Sequence, residues 1–292
     1  MIIVFSKILV ASDLSQSAFD MVKCLKALKK YGSEKCLLVQ CLNPHEKNMI
    51  FVRSVLEKNL QEQKNTLMEF GYAVDTRVVT GYVKNEINRI AANEDYLVIV
   101  VEAVEHSMIG ESLLGNPANE LIHYASKPLL LLRVSEGPVD EKNSIRECDL
   151  SSHILFPTDF SDNAAIAFEY MKNMVGNGVS KVTLAHVQDQ TRISPYLLDR
   201  LVEFNRKDAK RLQEMQAKLS EIADVEVDIQ LLYGSPTSEI LRLISEKKIP
   251  LVVMGRQGRG FIKDIFLGSV SHNISRYSEA SVLLIPAKRE AE

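Results

Sequence analysis

Two tandem α/β domains, each an open five-stranded parallel sheet with helices on both faces, are what this sequence predicts. Two observations lead there. The chain repeats itself, and each repeat alternates short apolar runs with amphipathic stretches. KILVASDLSQSAFDMVKCL, from Lys7, matches HILFPTDFSDNAAIAFEYM, from His153, setting Asp13 on Asp159 and Ser15 on Ser161. TGYVKNEINRIAANEDYLVIVV then matches YGSPTSEILRLISEKKIPLVVMG, setting Gly81 on Gly234, Glu86 on Glu239 and Leu114-Gly115 on Leu267-Gly268. The offset grows from 146 to 153 between these blocks, so the second copy carries an insertion of seven residues. The polar stretch GPVDEKNSIRECDLSS separates the copies, giving expected domains of 1–140 and 151–292.

The second copy shows the elements most clearly. HILFPTD is a short apolar strand, followed by a helical stripe of Ala164, Ala167, Phe168, Met171, Met174 and Val175. KVTLAHV is the next strand. Leu197, Leu201, Phe204, Leu212, Met215 and Leu219 then fall on one face of a long helix. VEVDIQLLYG alternates as a strand does, PTSEILRLISEKK is helical, and LVVMG is a buried strand. SHNISRYSE and SVLLIPA close the copy as helix and strand. Apolar strands separated by amphipathic helices favour a parallel sheet buried on both faces.

Composition narrows the function classes. Hydrophobic residues make up 46% and charged residues 25%, enough to bury a sizeable core. A net charge of −3 gives no basic footprint for nucleic acid. No apolar run reaches the roughly 18–20 residues that span a bilayer, and MIIVFSKILVASD reads as a first strand rather than a signal peptide. A cytoplasmic chain with reduced thiols is therefore expected. Cys24, Cys36, Cys41 and Cys148 form no CxxC pair and are expected to be structural, and the six histidines show no ligand spacing. No metal site and no catalytic residue is expected.

Doubly wound sheets bind ligands beyond the carboxyl ends of their strands, where the strand order reverses. If the first and fourth strands flank that point, Pro157-Thr158-Asp159 and the stretch GRQGRGFIKDIFLGSVS, from Gly255, meet there. Asp159 offers an acceptor for an exocyclic amine or a ribose hydroxyl. Gly255, Gly258 and Gly268 lack Cβ atoms, so their backbone can approach an anion closely. Gly268-Ser269-Val270-Ser271 opens a helix, whose amino end favours an anion, and Ser269 and Ser271 offer a cap or a donor. Arg256, Arg259 and Lys263 add positive charge. Neither GxxxxGK[ST] nor GxGxxG is present; the spacing is G-x2-G-x9-G-S.

That pattern, after a fourth strand and with an aspartate ending the first, resembles the ATP-binding type of universal stress protein. The resemblance covers nearly the whole chain as two such domains. It implies the strand order 3-2-1-4-5 of the adenine nucleotide alpha hydrolase-like fold. Carried onto matching positions, it implies Pro157, Thr158 and Asp159 against adenine or ribose, and Val187 meeting adenine through its backbone. Met254 and Gly255 would flank the nucleoside, with Arg256, Gly258, Gly268, Ser269, Val270 and Ser271 holding the phosphates. The implied ligand is ATP, with or without Mg²⁺. The implied role is stress-response regulation, in which binding or slow turnover alters oligomer or partner state. Pairing of the fifth strands, LLLLRV and VLLIPA, is implied within the chain, and a homodimer of tandem chains is compatible with it.

The first copy departs from the motif. Gly255 corresponds to Glu102, Gly258 to Glu105 and Ser269 to Asn116, while Asp13 and Gly115 persist. Two like charges about 4 Å apart cost roughly 4 kcal/mol at an effective dielectric near 20, more than a helix dipole returns. The first domain is therefore expected not to bind ATP in the same manner. A slow ATPase or nucleotide-processing enzyme, assisted by Lys263 and Asp264, and a structural or interaction module with a vestigial site, are the competing readings.

Overall fold

The strands form where β-branched and leucine-rich runs can be buried on both faces, and each repeat builds one sheet from them. The computed structural model describes residues 5–103, 116–134, 148–193, 200–258 and 267–287. The chain divides into two compact units, Met1–Asp149 and Leu150–Glu292. In the first, β1 (Lys7–Ala11), β2 (Lys35–Leu42), β3 (Ala73–Thr80), β4 (Val98–Ala103) and β5 (Leu129–Arg133) stand in the order β3-β2-β1-β4-β5. The helices between them are α1 (Gln16–Cys24), α2 (Met49–Glu69), α3 (Val83–Asn93) and α4 (Asn116–Tyr124), with a 3₁₀ turn over Leu25–Tyr31 after α1. In the second, β6 (His153–Pro157), β7 (Lys181–Asp189), β8 (Glu226–Gly234), β9 (Leu251–Gly255) and β10 (Ser281–Ile285) stand in the order β8-β7-β6-β9-β10. Their helices are α5 (Asp162–Val175), α6 (Gln190–Ile193), α7 (Leu201–Ser220), α8 (Pro236–Lys247) and α9 (Ser269–Tyr277). Both orders are 3-2-1-4-5 and the pairings are parallel.

Register makes the two sheets superimposable residue by residue. Ile8 pairs with Val98 and Ile154 with Leu251; Lys35 pairs with Ala73 and Lys181 with Glu226. Asp13 and Asp159 therefore sit at equivalent points, as do Glu102 and Gly255. The seven added residues fall between β7 and β8, in the connection that carries α6 and α7.

Local chemistry explains the repeated residues. Ser15 and Ser161 cap α1 and α5 by accepting from Ala18 N (3.1 Å) and Ala164 N (3.2 Å). Each is preceded by an aspartate whose Oδ1 accepts its main-chain N–H: Asp13 from Ser15 (2.8 Å), Asp159 from Ser161 (3.0 Å). Such caps contribute about 1 kcal/mol each. Gly81 and Gly234 lie at φ 155° and 154° as β3 and β8 end, and a Cβ there would sit 2.7 Å from Glu86 Cγ or 3.2 Å from Glu239 Cγ. The repeated Gly/Glu pairs are thus a packing requirement.

Some expectations shift. On α7, Leu212 and Leu219 are buried while Leu201, Phe204 and Met215 are only partly covered; Leu197 lies outside the described residues. The thiol expectation is corrected: Cys24, at the end of α1, and Cys148 form a disulfide with Cα atoms 5.0 Å apart, a normal separation for one. A pairing between positions 124 apart in sequence leaves no local pattern to read. Cys36 is free and buried, and the free Cys41 has its thiol pushed up to about 12 by burial and by Glu86 and Glu120.

Candidate functional site

The second unit's sheet opens between β6 and β9. Their paired residues stop at Leu155↔Val252, although β9 continues to Gly255. In the first unit the equivalent pairing of β1 with β4 runs on to Ala11↔Val101. Pro157 accounts for the difference. Thr158 N donates to Ala185 O (2.8 Å), so Thr158 faces β7 and, by alternation along the strand, Pro157 faces β9. Proline has no N–H to give there; Ala11 does.

Around this opening stand the residues singled out in the sequence. Thr158 is buried (8% exposed) and its Oγ1 accepts from Phe160 N at 3.0 Å. Val187 lies on β7 two residues beyond Ala185, so its main-chain groups point past the end of β6 into the opening. Met254 is buried and pairs with Leu284 on β10. Asp159 uses Oδ1 for the turn into α5, while its Oδ2 lies against Gly258, where a Cβ would stand only 2.6 Å away.

The glycine loop leaves β9 with its carbonyls committed. Gly255 O accepts from Ser271 Oγ (2.9 Å), Arg256 O from Gly268 N (2.9 Å) and Gln257 O from Asn163 Nδ2 (2.9 Å). Arg256 is buried, and its N–H donates to Ile285 O at 2.8 Å. The bond from Gly268 to Arg256 ties the two ends of the loop together and sets the start of α9 beside the end of β9. Hydrogen bonding within α9 begins with His272 N to Gly268 O (2.8 Å), so the N–H groups of Ser269, Val270 and Ser271 precede the helical ladder. Gly268 is the cap residue of α9 and no side chain among the described residues caps it; Ser269 is exposed, whereas the Ser271 hydroxyl is spent on Gly255. Arg259, Gly260, Lys263 and Asp264 lie outside the described residues, as do Glu105 and Gly115.

The first unit fills the equivalent space differently. Glu102 Oε2 accepts from Ser15 Oγ (3.3 Å), and Ser17 Oγ donates in turn to Ser15 Oγ (3.2 Å). Burial, with Asp13 and Asp20 nearby, holds Glu102 above the usual carboxylate range. At the floor, Gln40 donates to Asn59 Oδ1 (2.7 Å) and Asp13 O (3.0 Å), Gln63 donates to Asn59 Oδ1 (2.9 Å), and Ser12 donates to Gln63 Oε1 (2.9 Å). This amide network bridges β1 and β2 to α2.

A family model, that of the universal stress protein family, matches residues 5–133 and again residues 151–286. The chain belongs to the universal stress protein family. Universal stress protein MJ0577 of Methanocaldococcus jannaschii is 29% identical over 153 residues, spanning 46% of this chain and 94% of that protein. Universal stress protein YxiE of Bacillus subtilis is 26% identical over 143 residues, spanning 45% and 97%. Each relative is thus the length of one unit. A universal stress protein from Archaeoglobus fulgidus shares the fold over both, with a TM-score of 0.72 at 21% identity, covering 96% of this chain and 98% of that one.

Two features of this universal stress protein were not legible from motif spacing. One is Asn163, on the first turn of α5, whose amide reaches 94 residues along the chain to the glycine loop. The other is a cluster over β6 and β7. His186 Nδ1 lies 2.7 Å from Thr158 O, an atom that only accepts, so Nδ1 carries the proton. Its Nε2 faces Asp208 Oδ2 at 3.5 Å, and its ring centroid lies 4.6 Å from that of Phe160, the two rings tilted by 41°. Phe160 lies at φ 59°, and Arg211 stands 5.1 Å from its ring. A bulky residue in left-handed backbone is uncommon; here it seats the ring on His186 while Asp159 turns toward Gly258. The HV dipeptide near the end of β7 was the available signal, but only the fold brings α7 to it.

Proposed function

We propose that the second unit binds an adenine nucleotide, ATP above all, at the carboxyl ends of β6 and β9. Occupancy of that site would let this stress-response protein change its oligomer or partner state. The observation that carries the reading is the closure from Gly268 to Arg256. It sets the amino end of α9 beside the opening between β6 and β9, where its N–H groups and dipole favour phosphate oxygens. Asp159 then supplies the acceptor for ribose or adenine, and the main chain of Val187 meets the edge of the base. Met254 and Gly255 flank the nucleoside; Arg256, Gly258, Gly268, Ser269, Val270 and Ser271 form the phosphate arm. Mg²⁺ would enter with the triphosphate.

In the first unit Glu102 places a carboxyl where the second unit has the bare backbone of Gly255. Calorimetry on the full chain should give one ATP per chain, with binding abolished by Gly258→Glu, which drives a side chain into Asp159 and adds a like charge. No binding by the wild type overturns the reading, and two ATP per chain overturns the asymmetry. Steady phosphate release well above background, lost in the same variant, would make the protein an ATPase instead.

A further inference from the structure

We infer that Asn163 is the positioning residue of the glycine loop, and that its pairing with Gly255 makes the second unit's crevice open to an anionic ligand. The inference deepens the nucleotide reading and rests on it for the ligand. An anion-binding loop must turn its carbonyl oxygens away, since each carries partial negative charge. Two of the three carbonyls at 255–257 are withdrawn by α9, through Ser271 and Gly268. The third, Gln257 O, is withdrawn by Asn163 Nδ2 at 2.9 Å.

Asn163 is buried (7% exposed), and it fits only because residue 255 is glycine. A Cβ at Gly255 would stand 2.9 Å from Asn163 Nδ2 and 3.2 Å from its main-chain carbon. The first unit exchanges both partners together. Sheet register sets Glu102 on Gly255, and the matched Asp13 and Asp159 set Ser17 on Asn163. There the long side chain is on the strand and the short one on the helix, and the Glu102 carboxyl accepts from Ser15, to which Ser17 donates, at the amino end of α1. That crevice holds its own carboxyl in place of a ligand.

The test measures ATP and adenosine binding separately, by calorimetry and ligand-observed NMR, on full-length wild type and Asn163→Ala. The expected result is at least a tenfold loss of ATP affinity with adenosine affinity within twofold of wild type. A side chain that merely props up the pocket would weaken both alike; that outcome, or unchanged ATP affinity, overturns the inference. Gly255→Glu should lower the melting temperature, and Asn163→Ser/Gly255→Glu should recover much of it without recovering ATP binding. Independent, additive effects on melting would overturn the pairing. If the wild type binds no adenine nucleotide, the parent reading falls by itself. Amide exchange at Gln257 and Gly258 then judges the latch: tenfold faster in Asn163→Ala supports it, and unchanged rates overturn it.

Discussion

Glu102 shows how one side chain can decide the character of a site. Burial disfavours its charged form, so its folded-state pKa lies above that of the unfolded chain. Below the unfolded value the group is neutral in both states and costs nothing. As pH rises toward and through the folded value, the native state increasingly carries a proton or a buried charge that the unfolded chain does not, and stability falls. Glu102→Gln keeps the contact to Ser15 without the charge. It should raise the melting temperature at pH 7, with the gain vanishing near pH 4, as calorimetry at both pH values would read. The exchange of Gly255 for Glu102 was legible as a charge argument. Its partner exchange, Asn163 for Ser17, was not, because the two positions meet only after β9 and α5 pack.

At the scale of elements, β6 sets both the opening of the site and a pH response. Its carboxyl end parts from β9 where Pro157 lacks a donor, a consequence open to anyone who knows which side of the strand Pro157 faces. Its amino end carries His153, whose ring lies 2.8 Å from Thr183 Oγ1 on β7. Burial, together with Lys181 and Lys247, holds this imidazole below its ordinary value, against the opposing pull of Asp228 and Glu226. Folding therefore favours the neutral form. Its contribution is complete above the unfolded value of about 6.5 and is lost as pH falls from there through the depressed folded value. Chemical denaturation at pH 7.5 and 5.5 should show His153→Gln losing less stability on acidification than wild type. The difference should stay below about 1 kcal/mol, because water still screens a half-buried ring. The strands and helices themselves were legible nearly end to end, since apolar period and length fix them. Least legible was α7, whose partly covered face follows from packing beside β8.

Across the molecule, duplication has kept the scaffold and released the sites. Both units keep the strand order, the Asp-x-Ser turn into the first helix and the Gly/Glu pair after the third strand, each needed for the fold. The exchange of Glu102 and Ser17 for Gly255 and Asn163 also stands at the carboxyl ends of the strands, where each pair packs in its own way. The bond between Cys24 and Cys148 belongs to this scale, because it closes 124 residues of chain. Chain-entropy arguments give such a loop a few kcal/mol, typically about 2–4. Thiol titration under denaturing conditions should find two free thiols before reduction and four after. Cys24→Ser should lower the first unit's melting transition, with reductant then having no further effect on it.

The sequence by itself determined the duplication, the element order, the parallel α/β class and the stretch that forms the glycine loop. These follow from apolar period, internal repetition and residue spacing, which are local properties of the chain. Only the tertiary structure decided how β6 parts from β9, which side chains withdraw the loop's carbonyls, and that Glu102 fills the space its counterpart leaves open. Those depend on which faces two strands turn to each other and on Cβ positions a few ångströms apart, between residues distant in sequence.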